Sequence, residues 1–173
     1  MDVDALQPVP SAADEGRILE ELRLLKSQRS PRGPRIAKAL RMLENAKSPR
    51  VRNAAALALA DLRAGVAKEK LIDLLARPDT RGARGSLLYA LDQLRADVPL
   101  TILAEIIAND TYEAREEALA IIERGRGAAT PQDSANSRNL LEAAAAAADG
   151  ERLQAVRRAL KHLRITNHHG VRR

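Results

Sequence analysis

Positively charged side chains are the residues of this sequence best placed to do chemistry. Arg35, Lys38 and Arg41 recur every third position in one stretch, and Lys70 and Arg77 lie in a later one. On a helix, residues three or four apart share one face. A row of cations can bind phosphate groups or the carboxylates of an acidic protein surface. Asp73 and Thr101 occupy matching positions on later predicted helices. The candidate binding residues are therefore Arg35, Lys38, Arg41, Lys70, Asp73, Arg77 and Thr101.

Residues that would support catalysis or metal binding do not occur in a usable arrangement in the sequence. Cysteine is absent, which excludes thiol chemistry and cysteine-based metal sites. His168 and His169 are adjacent, whereas two ligands on one helix face lie three or four residues apart. The segment Gly125-Arg126-Gly127 lacks the Lys-Ser or Lys-Thr of a phosphate-binding loop. We therefore predict a protein that is not an enzyme, with no catalytic residue, no metal and no cofactor.

A six-residue motif occurs twice in the chain. Asp79-Thr80-Arg81-Gly82-Ala83-Arg84 returns 31 positions later as Asp110-Thr111-Tyr112-Glu113-Ala114-Arg115, and a looser copy begins at Ser48. A fixed period of about 20–50 residues is the signature of a solenoid, in which no single unit can bury its apolar face alone. The sequence therefore predicts stacked repeats.

The composition favours helices throughout. Two tyrosines are the only aromatic residues among 173, so the core must consist of Leu, Ile, Val and Ala. Apolar spacing predicts helices that begin near residues 14, 34, 49, 67, 81, 98, 111, 137 and 151. We expect a loose N-terminal tail over residues 1–11, a single domain over 12–165 with an irregular loop at 125–136, and a C-terminal tail over 166–173.

The apolar pattern resembles that of HEAT repeats. The pattern Val-Arg-x-x-Ala-x-x-Ala-Leu-x-x-Leu at residues 51–62 is repeated in part at 83–94 and at 114–122. Its short period is most similar to the phycobilisome-lyase type of HEAT repeat, which is common in bacterial proteins. The resemblance covers about residues 34–125. It implies an all-α fold, a right-handed α-solenoid of about four to five antiparallel helix pairs. A generic helical bundle is the alternative.

Three arginines, Arg52, Arg84 and Arg115, occupy equivalent positions in the repeats. In HEAT-like stacks an arginine at this position typically joins a ladder between repeats with acidic groups. The resemblance therefore implies a structural inter-repeat ladder, with Asp79 and Asp110 as its acidic members. A phosphate-binding ladder is the functional alternative.

The resemblance also places the candidate binding residues on the concave face of the solenoid. We expect a protein-interaction module or scaffold that binds a protein partner there. The net charge of +6 leaves nucleic-acid backbone binding through the basic N-terminal part of that face as the alternative. The sequence has no run of 18 apolar residues and no apolar leader after Met1. We expect a basic cytoplasmic protein that contacts no membrane and takes no small-molecule ligand.

Overall fold

The fold is all-α. A computed structural model describes the backbone of residues 12–29 and 31–169 and the side chains of residues 13–29 and 31–163. The predicted all-α class is confirmed, because helices make up nearly all the regular structure in these ranges. The α-helices are α1 Ala12–Leu24, α2 Arg32–Glu44, α3 Pro49–Asp61, α4 Lys68–Ala76, α5 Gly85–Gln93, α6 Leu100–Asn109, α7 Tyr112–Glu123, α8 Pro131–Ala147 and α9 Gly150–His169.

The chain forms two compact units, divided between Ala67 and Lys68. In the first unit, α1 and α2 both pack against α3. Leucines from each helix, including Leu22, Leu43 and Leu59, are almost fully buried in this core. The small side chains of α3, such as Ala55, let both neighbouring helices approach closely.

The second unit contains α4 to α9. Neighbours in sequence pack together, as α4 does with α5, α6 with α7 and α8 with α9. Helices two places apart also pack together, as α5 does with α7, α6 with α8 and α7 with α9. Leucine and isoleucine side chains fill the core, among them Leu87, Leu91, Leu103, Ile106 and Ile121.

Three alternate helices end in the same way. After α3, α5 and α7 one residue takes a left-handed conformation: Arg63 (φ 50°), Arg95 (φ 53°) and Gly125 (φ 70°). The next residue then donates its backbone N–H to a carbonyl five positions back, as from Ala64 to Leu59. This is the hydrogen bond of a Schellman C-cap, which normally places glycine at the left-handed position.

The connection after α7 differs from the predicted irregular loop. Gly127–Ala128 forms a short strand, β2, that pairs in parallel with β1, Val98–Pro99. Helix α8 then begins at Pro131 rather than near Ser137, because Thr130 and Asp133 form a reciprocal capping box. The prediction overlooked this cap and therefore extended the loop into the helix.

Two further helix boundaries differ from those predicted. Helix α5 begins at Gly85 rather than near Arg81, because a 3₁₀ turn at Pro78–Thr80 precedes it and Gly82 has φ 77°. Helix α9 continues to His169, four residues beyond the expected end of the domain at Ile165. The predicted N-terminal tail, residues 1–11, lies outside the described residues. In the part of the chain that is described, no helix is long and apolar enough to cross a membrane.

Candidate functional site

A cleft of about 410 Å³ opens in the first unit between α1 and α2. Its apolar lining consists of Ile18 from α1, Met42 from the last turn of α2, Ala46 from the connection after α2, and Val51 from the first turn of α3. The cleft lies within the size range of about 300–1,000 Å³ that is usual for ligand sites. Its exposed lining is mostly apolar, with a few polar groups at the rim.

Four charged side chains line the same cleft. Lys38, Arg41 and Lys47 supply three cations, and Glu15 supplies one carboxylate. Lys38 forms an ion pair with Glu21 of α1, and both side chains are more than one-third exposed. The rim is therefore basic, and part of its charge is already compensated.

Two sets of hydrogen bonds fix the helices on either side of the cleft. At one end Arg35 Nη1 donates to the carbonyl oxygens of Leu25 (2.9 Å) and Lys26 (3.1 Å), which follow α1. At the other end Ser48 Oγ donates to Glu15 Oε1 over 2.9 Å. Hydrogen bonds as well as apolar packing therefore hold together the helices that form the walls.

Ser48 links the cleft to the start of α3. Its hydroxyl oxygen also accepts the backbone N–H of Val51 over 3.2 Å, which makes Ser48 the N-cap of α3. Since the same hydroxyl donates to Glu15, the cap of α3 and the wall of α1 depend on one side chain.

Of the predicted binding residues in the first unit, Lys38 and Arg41 line the cleft and Arg35 does not. The guanidinium of Arg35 is occupied by the carbonyls at the end of α1, where a cation is electrostatically favoured. Arg41 is exposed, and its guanidinium has no hydrogen bond or ion pair with any residue of the described ranges. Arg41 is therefore the cation at this rim that is most able to bind an external anion.

The other predicted binding residues belong to the second unit. Lys70 and Asp73 are exposed on α4, and Thr101 is half-buried in the first turn of α6. Arg77 forms a two-bond ion pair with Asp79, at 2.8 and 2.9 Å. None of these four residues lines a pocket described for residues 68–163. Their membership of a single binding face stays a prediction.

Arg84 and Asp110, two of the predicted ladder residues, are in contact. Arg84 Nη1 lies 3.2 Å from Asp110 Oδ2 and 2.8 Å from Glu105 Oε2. Its other nitrogens donate to Thr80 Oγ1 and to the carbonyl of Arg77. This buried arginine joins α6 and the turn before α7 to the turn before α5.

The remaining ladder residues have different surroundings. Arg115 donates to the backbone carbonyl of Asp110 over 3.0 Å rather than to a carboxylate. Arg52 is buried in α3, and Asp79 pairs with Arg77. A ladder through all five residues therefore stays a prediction, and the observed carboxylate bond is that of Arg84.

A second buried carboxylate was missed at the level of sequence. Asp92 of α5 accepts hydrogen bonds from Arg124 Nη1 (2.6 Å) and from Arg126 Nη2. Both arginines belong to the segment that leads into β2. Asp92 lies 31 positions after Asp61, so the repeat period could have marked it as a recurring acidic position.

The apolar lining of the cleft was also missed. Ile18 and Val51 are apolar residues of α1 and α3, and Met42 is next to the buried Leu43. Met42 belongs to α2 and Ala46 lies two residues beyond its end, and the sequence does not show that either residue faces an opening. Across residues 13–29 and 31–163, no three His, Cys, Asp or Glu side chains are grouped so that they could hold a metal ion.

Comparisons of the chain with protein-family models, with curated proteins and with solved structures gave no match.

Proposed function

We propose that this chain is a HEAT-like α-solenoid that binds a segment of a partner protein and catalyses no reaction. The observation that carries the proposal is the cleft between α1 and α2, with its apolar lining and basic rim. Lys38 and Arg41, which the repeat pattern singles out as binding residues, both belong to that rim.

Helix packing in the second unit supports the solenoid part of the proposal. In a stack of helical repeats, each helix contacts its neighbour in sequence and the equivalent helix of the next repeat. Helices α5, α7 and α9 show this relationship, since α5 packs on α7 and α7 on α9. The recurring left-handed ends at Arg95 and Gly125 further support equivalent repeats.

A peptide library displayed on phage tests the proposed function. We expect clones that bind the full chain, that lose binding to the Ala46→Trp variant and that keep binding to the Ala37→Trp variant. Ala46 lines the cleft, so a large side chain there fills it, whereas Ala37 is exposed on α2 and is no part of the lining. Absence of enriched clones, or equal binding to both variants when both are folded by circular dichroism, contradicts the proposal.

The three cations of the rim favour a second candidate function, which is the binding of a nucleic-acid backbone. Phosphate contacts release counterions, so such binding would weaken by orders of magnitude between about 50 and 200 mM salt. Titration of short duplex DNA and RNA over this range tests it. Charge reversal at Lys38 and Arg41 should then weaken binding, and unchanged affinity would exclude this function.

A further inference from the structure

The partner segment that suits the cleft must combine apolar and acidic side chains. A cleft of about 410 Å³ lined by Ile18, Met42, Ala46 and Val51 is stabilised when apolar groups displace its water. A purely acidic ligand would leave this lining wet, and a purely apolar one would leave the rim cations without a partner. The lining and the rim therefore set two separate requirements.

Arg41 is the residue that defines the acidic requirement. Lys38 already pairs with Glu21, and Lys47 also interacts with another group of the protein. Arg41 has neither a hydrogen bond nor an ion pair from its guanidinium among the described residues. A guanidinium binds a carboxylate through two parallel hydrogen bonds, and arginine is enriched among the residues that dominate binding energy.

The carboxylate of the cleft does not offset this preference. Glu15 accepts the hydroxyl of Ser48 over 2.9 Å, so its oxygens are partly committed within the protein. With three cations against one carboxylate, the charge of the lining complements an acidic ligand. No aromatic ring lines the cleft, so it offers no platform on which a nucleic-acid base could stack.

We propose that the cleft binds an acidic amphipathic helix of a partner protein, with apolar side chains on Ile18, Met42, Ala46 and Val51 and a carboxylate on Arg41. An amphipathic helix presents anchors at positions i, i+3, i+4 and i+7 to an apolar groove. This inference rests on the proposed function, because it specifies the ligand of the same cleft.

The test uses the full chain and three labelled 15-residue peptides measured by fluorescence anisotropy. The first has leucines at helical spacing flanked by glutamates, the second replaces each glutamate with lysine, and the third scrambles the first so that its apolar face is lost. We expect the first to bind at least about tenfold more tightly than the other two, which corresponds to about 1.4 kcal/mol. Equal binding of the first and second peptides would overturn the proposal.

Two charge-reversal substitutions test whether Arg41 binds the carboxylate of the acidic peptide. Arg41→Glu should weaken the acidic peptide about tenfold or more and strengthen the lysine peptide, because the rim then attracts the opposite charge. Arg50→Glu changes the net charge equally, but Arg50 is an exposed residue of α3 outside the lining, so affinity should change less than about threefold. Equal effects of the two substitutions would overturn the role of Arg41.

The remaining outcomes separate this inference from the proposed function. Phage clones that depend on the cleft but carry no excess of acidic residues would overturn the inference and leave the proposed function standing. Absence of any cleft-dependent peptide would overturn both. Complete displacement of the acidic peptide by dodecanoate or by duplex DNA at lower concentration than unlabelled peptide would also overturn the inference, in favour of a small amphipathic acid or a nucleic acid.

Discussion

Arg84 and Asp110 form a buried ion pair across 26 positions of sequence, with side chains only 3% and 2% exposed. Asp110 Oδ1 also accepts the backbone N–H groups of Gly82 (3.1 Å) and Thr111 (2.7 Å). One carboxylate thus satisfies donors from the turn before α5 and from the start of α7. The pair therefore positions the turn before α5 relative to the start of α7.

Substitution of Asp110 should therefore destabilise the second unit strongly. Asp110→Ala leaves the buried guanidinium of Arg84 with Glu105 as its carboxylate partner, while water can replace Asp110 at the two exposed backbone N–H groups. We expect a loss of about 1.5–3 kcal/mol in the free energy of unfolding, measured with urea, because a charge-assisted bond to a buried group is lost. Arg23→Ala is the control, since it breaks an exposed pair with Glu20, and it should leave the urea midpoint nearly unchanged. Equal effects would show that the buried pair is no more important than a surface one.

Glycine should stabilise the protein at Arg63 and Arg95, the two arginines whose backbone is left-handed. A non-glycine residue in this conformation costs about 1–2 kcal/mol, of which the greater flexibility of unfolded glycine offsets about 0.5–1. Arg63→Gly and Arg95→Gly should each raise the free energy of unfolding by about 0.5–1 kcal/mol. The reverse change, Gly125→Arg, should lower it. A loss of stability on Arg95→Gly would mean that the side chain contributes more than its backbone conformation costs.

Gly82, before α5, and Gly85, the first residue of α5, should respond differently to alanine. Gly82 has φ 77°, so Gly82→Ala should cost about 0.5–1 kcal/mol whatever its neighbours are. At Gly85 an added methyl group would lie 2.6 Å from the carboxyl carbon of Glu113. Gly85→Ala should therefore be more favourable in the Glu113→Ala background than in the wild type, as a double-mutant cycle in urea would measure. Strict additivity at Gly85 would contradict the close approach of Glu113.

Glu117 should make the second unit less stable as pH rises. Burial raises the pKa of the Glu117 carboxyl above its usual value, and the neighbouring Glu113 adds to this, while Arg124 opposes it. Because the folded state then holds the proton more tightly than the unfolded state, stability falls as pH rises from the usual carboxyl pKa through the raised one. Glu117→Gln should raise the melting temperature at pH 7, with little gain near pH 4. Glu142→Gln, at an exposed position of α8, should give no such pH-dependent gain.

The sequence was sufficient to predict the all-α class and the approximate position of each helix. Ser48-Pro49 predicted the start of α3 correctly, because an N-cap followed by proline is a local signal. The predicted start of α8 was wrong. The polar composition of residues 125–136 indicates a loop, but Thr130 and Asp133 form an equally local capping signal within it. The pairing of Val98 with Gly127 could not be predicted, since a two-residue strand has no apolar periodicity of its own.

The candidate site was predictable only in its charges. Spacing along α2 identified Lys38 and Arg41, because helical geometry determines which residues share a face. It could not show that Arg35 is occupied by the carbonyls of Leu25 and Lys26, since these acceptors follow a different helix. The cleft depends on how α1 and α2 pack against α3, and that arrangement is a property of tertiary packing.

The pairing of β1 with β2 has a consequence for where this chain could change in length. The backbone N–H of Val98 donates to the carbonyl of Arg126 over 3.0 Å, which fixes the register of Gly127 and Ala128. An insertion before Gly127 would shift that register and separate Arg126 from Asp92. An insertion between Ala129 and Thr130, both exposed, would disturb neither the strand pair nor the cap of α8. Descendants of this gene should therefore acquire extra residues at that junction first.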